Sequence, residues 1–281
     1  MAPAQRRIWL CADDYGISPS VNAAIRELIG RGRLNATSVM TAAAHLDAGE
    51  AAALARLNSG GKRAALGLHV TLTAPFQPLS EGFAPLVDGR FLSLKTTMRA
   101  AITRRLNRER VAREVTAQVQ AFVTAFGRPP DFIDGHQHVH LFPQVRDAVL
   151  KVAAEMAPGA WVRQCGRPRS ARRLKGRKEL LLDILSVSFR RKARRLGVAT
   201  NPAFAGAYNF DGKPVFATIF PRFLAGLPDG GLIMCHPGFV DSELKRLDPL
   251  TDQREREFAY FSSDDFPRTL AEHGTGLAVP N

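Results

Sequence analysis

The chain opens with short apolar runs that alternate with segments of helical period. IWLCAD (8–13) is a short apolar run ending abruptly in acids, the pattern of a buried strand. ISPSVNAAIRELIGRG (17–32) follows with a helical pattern: Ser18 or Ser20 offers a cap, Pro19 suits the first turn, and Gly30 and Gly32 end it. NATSVMTAA (35–43), LDAGEAAALARLN (46–58) and AALGLHVTLT (64–73) continue as strand, helix and strand. Such alternation predicts parallel βα units.

Residues 75–94 are punctuated by Pro and Gly and predict a long loop or small insertion. Residues 104–126 return to helical period, with Val111, Val115, Val119 and Phe122 on one face, and GRPP stops them. DFIDGHQHVH (131–140) reads as a strand, 142–156 as a helix and WVRQ (161–164) as a short strand. Residues 178–197 predict an amphipathic helix with Leu181, Ile184, Leu185 and Ser188 along one face. GLIMCHPGF (231–239) is a late strand, and 254–274 a final helical region.

Polar, ionisable residues gather where the apolar runs finish: Asp13 and Asp14, His69, His136 and His236. In a closed or nearly closed parallel sheet the strand C-termini share one face, and in β/α barrels that face carries the chemistry. The expectation is therefore an α/β, (β/α) barrel-like fold. It forms a single domain over 1–281, with a basic insertion or helix around 163–200.

Composition sharpens this. With 281 residues, 45% of them hydrophobic, the chain can bury a large core, and no apolar run approaches bilayer length. The N-terminus lacks the long apolar stretch of a secretory signal, and three cysteines without metal-site spacing fit a reducing compartment, so a cytoplasmic location is expected. The net charge of +13 is uneven: residues 163–195 hold thirteen Lys/Arg against Glu179 and Asp183, which is +11 in 33 residues. So local a block implies an anionic partner surface, or a solvated basic helix face.

Adjacent carboxylates after a buried strand repel unless a cation or proton intervenes, so Asp13 and Asp14 point to a site, although an Asp there can also cap a helix. In an extended strand Asp134, His136, His138 and His140 would share one face. Four polar groups there are a poor fit to an apolar core, and neutral imidazole is a common metal ligand. A solvent-facing His-rich edge is the alternative. His69 alone would read as a satisfied core histidine. With Asp14 and His136 it completes a two-histidine, one-carboxylate set able to hold a divalent metal with positions left open. His236 suits a proton donor.

ADDYGIS, GLHVTL, DGHQHVHLFP and CHPGFVD, in that order between residues 12 and 241, resemble the motifs of the YdjC-like carbohydrate deacetylase family. The resemblance implies a distorted TIM-type barrel related to the polysaccharide deacetylases, one divalent metal ion, and hydrolysis of the N-acetyl group of an amino sugar. Zinc or magnesium is the first expectation for the ion; manganese, cobalt and iron also tolerate the ligand set. Carried over, the metal ligands are Asp14, His69 and His136, the general base is Asp13 and the general acid His236. Arg163 is expected near the base. Asp134, His138 and His140 are expected to touch substrate or orient a ligand.

The basic segment lies outside these motifs. An amphipathic helix with a cationic end can lie on an anionic bilayer. The chain thus resembles the hopanoid-biosynthesis branch of the family, which implies a lipid-linked amino-sugar substrate and peripheral attachment at the inner face of the cytoplasmic membrane. Soluble chitooligosaccharides are the alternative substrate, and a homodimer is compatible with either. Rival functions are a non-haem iron oxygenase with the same ligand set and a nucleic-acid binder built on 163–195. The second is disfavoured: the block has no aromatic interleaving beyond Phe189 and no reader motif. An inactive scaffold would leave the base, ligands and acid unexplained.

Overall fold

The computed structural model of the protein describes residues 5–168, 177–208 and 215–280. In chain order the elements are β1 (Arg6–Tyr15), α1 (Pro19–Gly30), β2 (Ala36–Val39), α2 (Ala48–Arg56), β3 (Ala65–Val70), α3 (Leu94–Ile102), α4 (Arg108–Phe126), β4 (Phe132–Gly135), α5 (Val145–Met156), β5 (Trp161–Val162) and α6 (Arg177–Arg195). They continue as β6 (Phe204–Ala205), α7 (Phe216–Leu224), β7 (Leu232–Cys235), α8 (Ser242–Leu247), α9 (Asp252–Ser262), α10 (Asp265–Glu272) and β8 (Thr275–Leu277).

β1 is the spine of the sheet. Ile8, Leu10, Cys11 and Ala12 are all fully buried, because a strand covered on both faces needs a continuous apolar run rather than an alternating one. The strand order is β5-β4-β3-β2-β1-β7-β6, with β8 beside the first residues of β1. Every ladder is parallel, so the C-terminal tips form one rim.

The edge strands β5 and β6 are only two residues long, and the seam between them is bridged past their ends. Val162 N–H donates to Ala199 O at 2.9 Å, Phe204 N–H donates to Gly166 O at 3.0 Å, and the Asn201 side chain bonds the backbone of Gln164 in both directions. The result is the distorted, barrel-like α/β fold expected.

The predicted face of α4 is buried: Val111, Val115, Val119 and Phe122 meet the core. Glu114 and Gln118 on the same helix are also buried. Glu114 accepts from the backbone of Leu79 and Ser80 and Gln118 pairs with the backbone of Thr71, tying down the loop after β3.

Three expectations need correction. The strand expected over 131–140 stops at Gly135, and residues 136–141 form a 3-10 turn with Gln137 and His138 in left-handed backbone (φ 54° and 60°). In α6 the buried face is Leu182, Ser186, Phe189 and Ala193, while Leu181 and Ile184 face outward. That helix carries two apolar stripes, and the one with Phe189, whose ring meets His140 edge-on at 5.8 Å, is the one the core takes. The final helical region is two helices, α9 and α10. Residues 169–176 of the expected basic insertion lie outside the described residues. Among the described residues no helix is long and apolar enough to cross a membrane.

Gly67 in β3 faces the Phe132 ring, which is stacked on Trp161 at 4.5 Å with 10° between planes. A Cβ at residue 67 would lie well inside contact distance of that ring, and the stack prevents its retreat. Gly67→Ala is therefore expected to destabilise the fold by about 2–3 kcal/mol, read as a lower urea midpoint with unchanged slope.

Candidate active site

The site begins with an irregularity in β1. Successive residues of a regular strand point to opposite faces, yet Asp13 and Asp14 both line one cavity of about 340 Å³ at the C-terminal rim. The ladder to β2 shifts register between Ala12 and Tyr15, and Asp14 takes φ 72°. Asp tolerates that left-handed conformation better than most residues. A bulge of this kind re-aims a side chain, and here it brings both carboxylates into one cavity.

Asp14 Oδ1 is the point of convergence. It lies 3.2 Å from His69 Nε2 and 3.0 Å from His136 Nδ1. Burial opposes its charge, but Arg254 and then His136 outweigh burial and hold the carboxyl well below the usual range. His69, at the tip of β3, donates through Nδ1 to Asp134 Oδ1 at 2.6 Å, with the Ser38 hydroxyl 3.0 Å from the same nitrogen. That bond fixes the ring's orientation and turns Nε2 toward Asp14, as second hydrogen-bond partners of metal-binding histidines do. Burial lowers the His69 pKa, yet Asp134 and the other nearby carboxylates raise it to about 10.

Arg163, just past β5, is fully buried. Its guanidinium grips both oxygens of Asp13 (2.7 and 2.6 Å), reaches Asp134 Oδ2 at 2.5 Å, and lies 3.1 Å from Cys11 Sγ. For Asp13 burial is the largest influence and leaves the carboxyl above its ordinary value despite Arg163. For Asp134, Arg163 and His69 together overcome burial and lower it.

The three clustered histidines diverge. His136 leaves the tip of β4 toward Asp14. His138, turned by its positive φ, lines the same cavity, with Cys165 Sγ 3.6 Å from its Nδ1. His140 lies behind the cavity wall: fully buried, it donates through Nε2 to the Arg163 carbonyl at 2.9 Å, and burial pushes its pKa down to about 4. Of the two roles expected for His140, only orientation is open to it. His236, after β7, is far from His136 and His138 in sequence but lines the same cavity.

Sequence reasoning missed Arg254 and Glu257, both on α9 and both fully buried. Arg254 Nη2 donates to Asp14 Oδ2 at 2.7 Å, and Glu257 Oε2 accepts from the His236 backbone N–H at 2.6 Å. Burial raises the Glu257 carboxyl to about 7 despite its donors Tyr208 and His236.

The donor set fits a divalent ion. One nitrogen or oxygen from each of Asp14, His69 and His136 lies within 4.8 Å of the others, all three residues being buried. A second acid-rich group, Cys11, Asp13 and Asp134, is equally close, but the Arg163 guanidinium contacts all three and supplies the positive charge there. In the first group the Arg254 guanidinium takes the outer Asp14 oxygen, Oδ2, and Oδ1 faces the two imidazoles. That group is the one suited to a metal with an open side facing the cavity.

Similarity to known proteins runs the length of the chain. A family profile described as "YdjC-like protein" matches residues 7–272. The chitooligosaccharide deacetylase of Escherichia fergusonii is 30% identical over 277 residues, 97% of each chain. That of Yersinia enterocolitica is 28% identical over 240 residues, 83% of this chain and 82% of its own. A solved structure from Enterococcus faecalis V583, provisionally named for cellobiose-phosphate cleavage, superposes with a TM-score of 0.78 over 98% of this chain and 97% of its own. At 21% identity that likeness speaks to the fold.

Proposed function

The chain belongs to the YdjC-like family, and from its site we propose that it is a metal-dependent carbohydrate N-deacetylase that hydrolyses the N-acetyl group of an amino sugar to acetate and free amine. The observation that carries the reading is the convergence of Asp14, His69 and His136 beside a separate, arginine-held carboxylate, Asp13, and an accessible histidine, His236. Relatives named chitooligosaccharide deacetylases along nearly the whole length support N-acetylglucosamine oligomers as the substrate class.

Asp14, His69 and His136 would hold the ion, which when bound supplies Lewis-acid polarisation of the acetyl carbonyl. Asp13 accepts the proton of the attacking water, its oxygens held in place by Arg163. His236, as imidazolium, gives a proton to the departing nitrogen, without which the amine is a poor leaving group. The test is acetate release from N,N′-diacetylchitobiose (hereafter chitobiose) by protein loaded with zinc, magnesium, manganese or cobalt. No acetate with any of them would overturn the reading.

Because the surrounding carboxylates keep His69 protonated near neutrality, an incoming ion must displace that proton. Metal titration at neutral pH is expected to release about one proton per ion and to weaken as pH falls. Calorimetry in buffers of different ionisation enthalpy measures this, and heats independent of the buffer would contradict it.

A lipid-linked amino sugar is the second reading. A largely apolar cavity of about 250 Å³, lined by Cys165, Leu182, Phe204, Ile219 and Phe223, adjoins the catalytic cavity across the His138 ring, which meets Phe204 at 5.7 Å. Leu180, Ile184 and Val187 form an exposed apolar stripe on α6 near the Arg191 and Arg194 cations. The relatives' names favour the soluble oligomer. A higher kcat/KM for an alkyl N-acetylglucosaminide than for chitobiose, with flotation on anionic vesicles, would reverse that choice.

A further inference from the structure

We propose that Arg254 and Glu257 are paired positioning residues, and that α9 is the brace that sets the metal-holding carboxylate and the proton donor at their working separation. This rests on the deacetylase reading of the site. The two residues stand three apart on one helix and so share a face. Neither lines the catalytic cavity; each acts through a residue that does.

Arg254 takes the outer oxygen of Asp14, Oδ2, at 2.7 Å, leaving Oδ1 facing the two imidazoles. The arginine is itself pinned: Nε donates to Leu250 O at 2.9 Å, and Nη2 is 3.4 Å from Asp248. Glu257 receives the His236 N–H on Oε2 and the Tyr208 hydroxyl on Oε1, at 2.6 and 2.5 Å. The Arg254 carbonyl also accepts from Gly238 N–H at 3.1 Å. One helix thus holds β1 at Asp14 and the loop after β7 at two backbone positions.

The two contacts carry different consequences. Without Arg254, Asp14 is free to rotate and loses a fixed cation, so metal affinity changes. Without the Glu257 carboxylate, the loop bearing His236 loses its anchor while Asp14, His69 and His136 keep their contacts, so proton delivery changes. Removing buried charge of this kind also lowers stability. A purely structural role would therefore lower the unfolding midpoint in both variants without separating metal affinity from turnover.

The experiment compares Arg254→Met, Arg254→Lys and Glu257→Met. Each is titrated as apoprotein with zinc ion, then assayed zinc-loaded for kcat and KM on chitobiose, with the urea midpoint measured alongside. Arg254→Met is expected to weaken zinc binding about 10- to 100-fold, and Arg254→Lys to recover part of the loss. Glu257→Met, which has no acceptor for the His236 N–H, is expected to keep wild-type zinc affinity and KM while kcat falls about tenfold or more.

Wild-type zinc affinity in Arg254→Met, or equal changes in zinc affinity and kcat in both variants, would overturn the proposal. If Arg254→Met does not fold, Arg254→Lys decides on the same zinc titration. Should the wild type release no acetate from chitobiose, the substrate reading fails, and the zinc titrations still decide whether Arg254 positions Asp14.

Discussion

Asp13→Asn is expected to lower kcat for acetate release by about 10³-fold while leaving zinc content near wild type. The argument is one of shape and charge. Asparagine has the outline of aspartate and keeps one oxygen for the Arg163 fork, so the local packing survives. It cannot accept a proton from water. Asp13 is separated from the metal-holding set: its oxygens are bonded by Arg163 and by the Ser38 hydroxyl, whereas Asp14 Oδ1 faces the imidazoles. Loss of turnover with zinc retained is thus the signature of a base. Equal acetate release by the two proteins removes Asp13 from the mechanism, and loss of zinc moves it into the ligand set.

Arg163→Met is expected to cost about 3–5 kcal/mol of stability at neutral pH, the largest effect of any single substitution near the site. Methionine fills much of the volume but leaves two buried carboxylates, Asp13 and Asp134, without their common cation. The pH dependence has a definite sign. In the wild type the Asp134 pKa is held down, so its contribution to stability is present above the unfolded value and lost as pH falls through the folded one. In the variant the Asp13 carboxyl, already raised by burial, is raised further and Asp134 loses the largest influence holding it down, so the penalty is present at high pH and relieved on protonation. The gap between wild type and variant in urea midpoint should therefore be widest in alkaline buffer and narrow as the pH falls. A gap that stays constant or widens on acidification would count against Arg163 as the neutralising centre.

Much of this was legible in the chain. The βα alternation could be read because strands buried on both faces leave unbroken apolar runs such as IWLC, and α4 because its valines recur at helical spacing. Asp14, His69 and His136 could be grouped because each ends such a run and parallel strands bring their ends together. The positive φ values at Asp14, Gln137 and His138 were not legible: non-glycine residues enter that region when the surrounding fold compels them, and no local signal marks it.

The buried face of α6 was misread because two apolar stripes compete along it and only the tertiary partner decides. Arg254 and Glu257 were passed over because closely spaced charges at the start of a helical region ordinarily face solvent. A clue was present all the same. Arg254, Glu257 and Phe261 fall on one stripe, and Tyr260 and Phe261 are buried, so the charges on that stripe point inward too.

The seam between β5 and β6 gives the fold a division of labour. The three residues proposed to hold the ion come from β1, β3 and the turn after β4, on the continuous side of the sheet. Leu182, Phe204 and Ile219, which wall the adjoining cavity, belong to the seam and its flanking helices. Held there by a few backbone and asparagine bonds rather than a full ladder, that wall can be rebuilt while the ladder that sets the ion's ligands stays as it is. Substrate range can then diverge among proteins of this architecture at little cost to the chemistry, and a chimera exchanging the α6–β6 stretch is the natural way to redirect the enzyme.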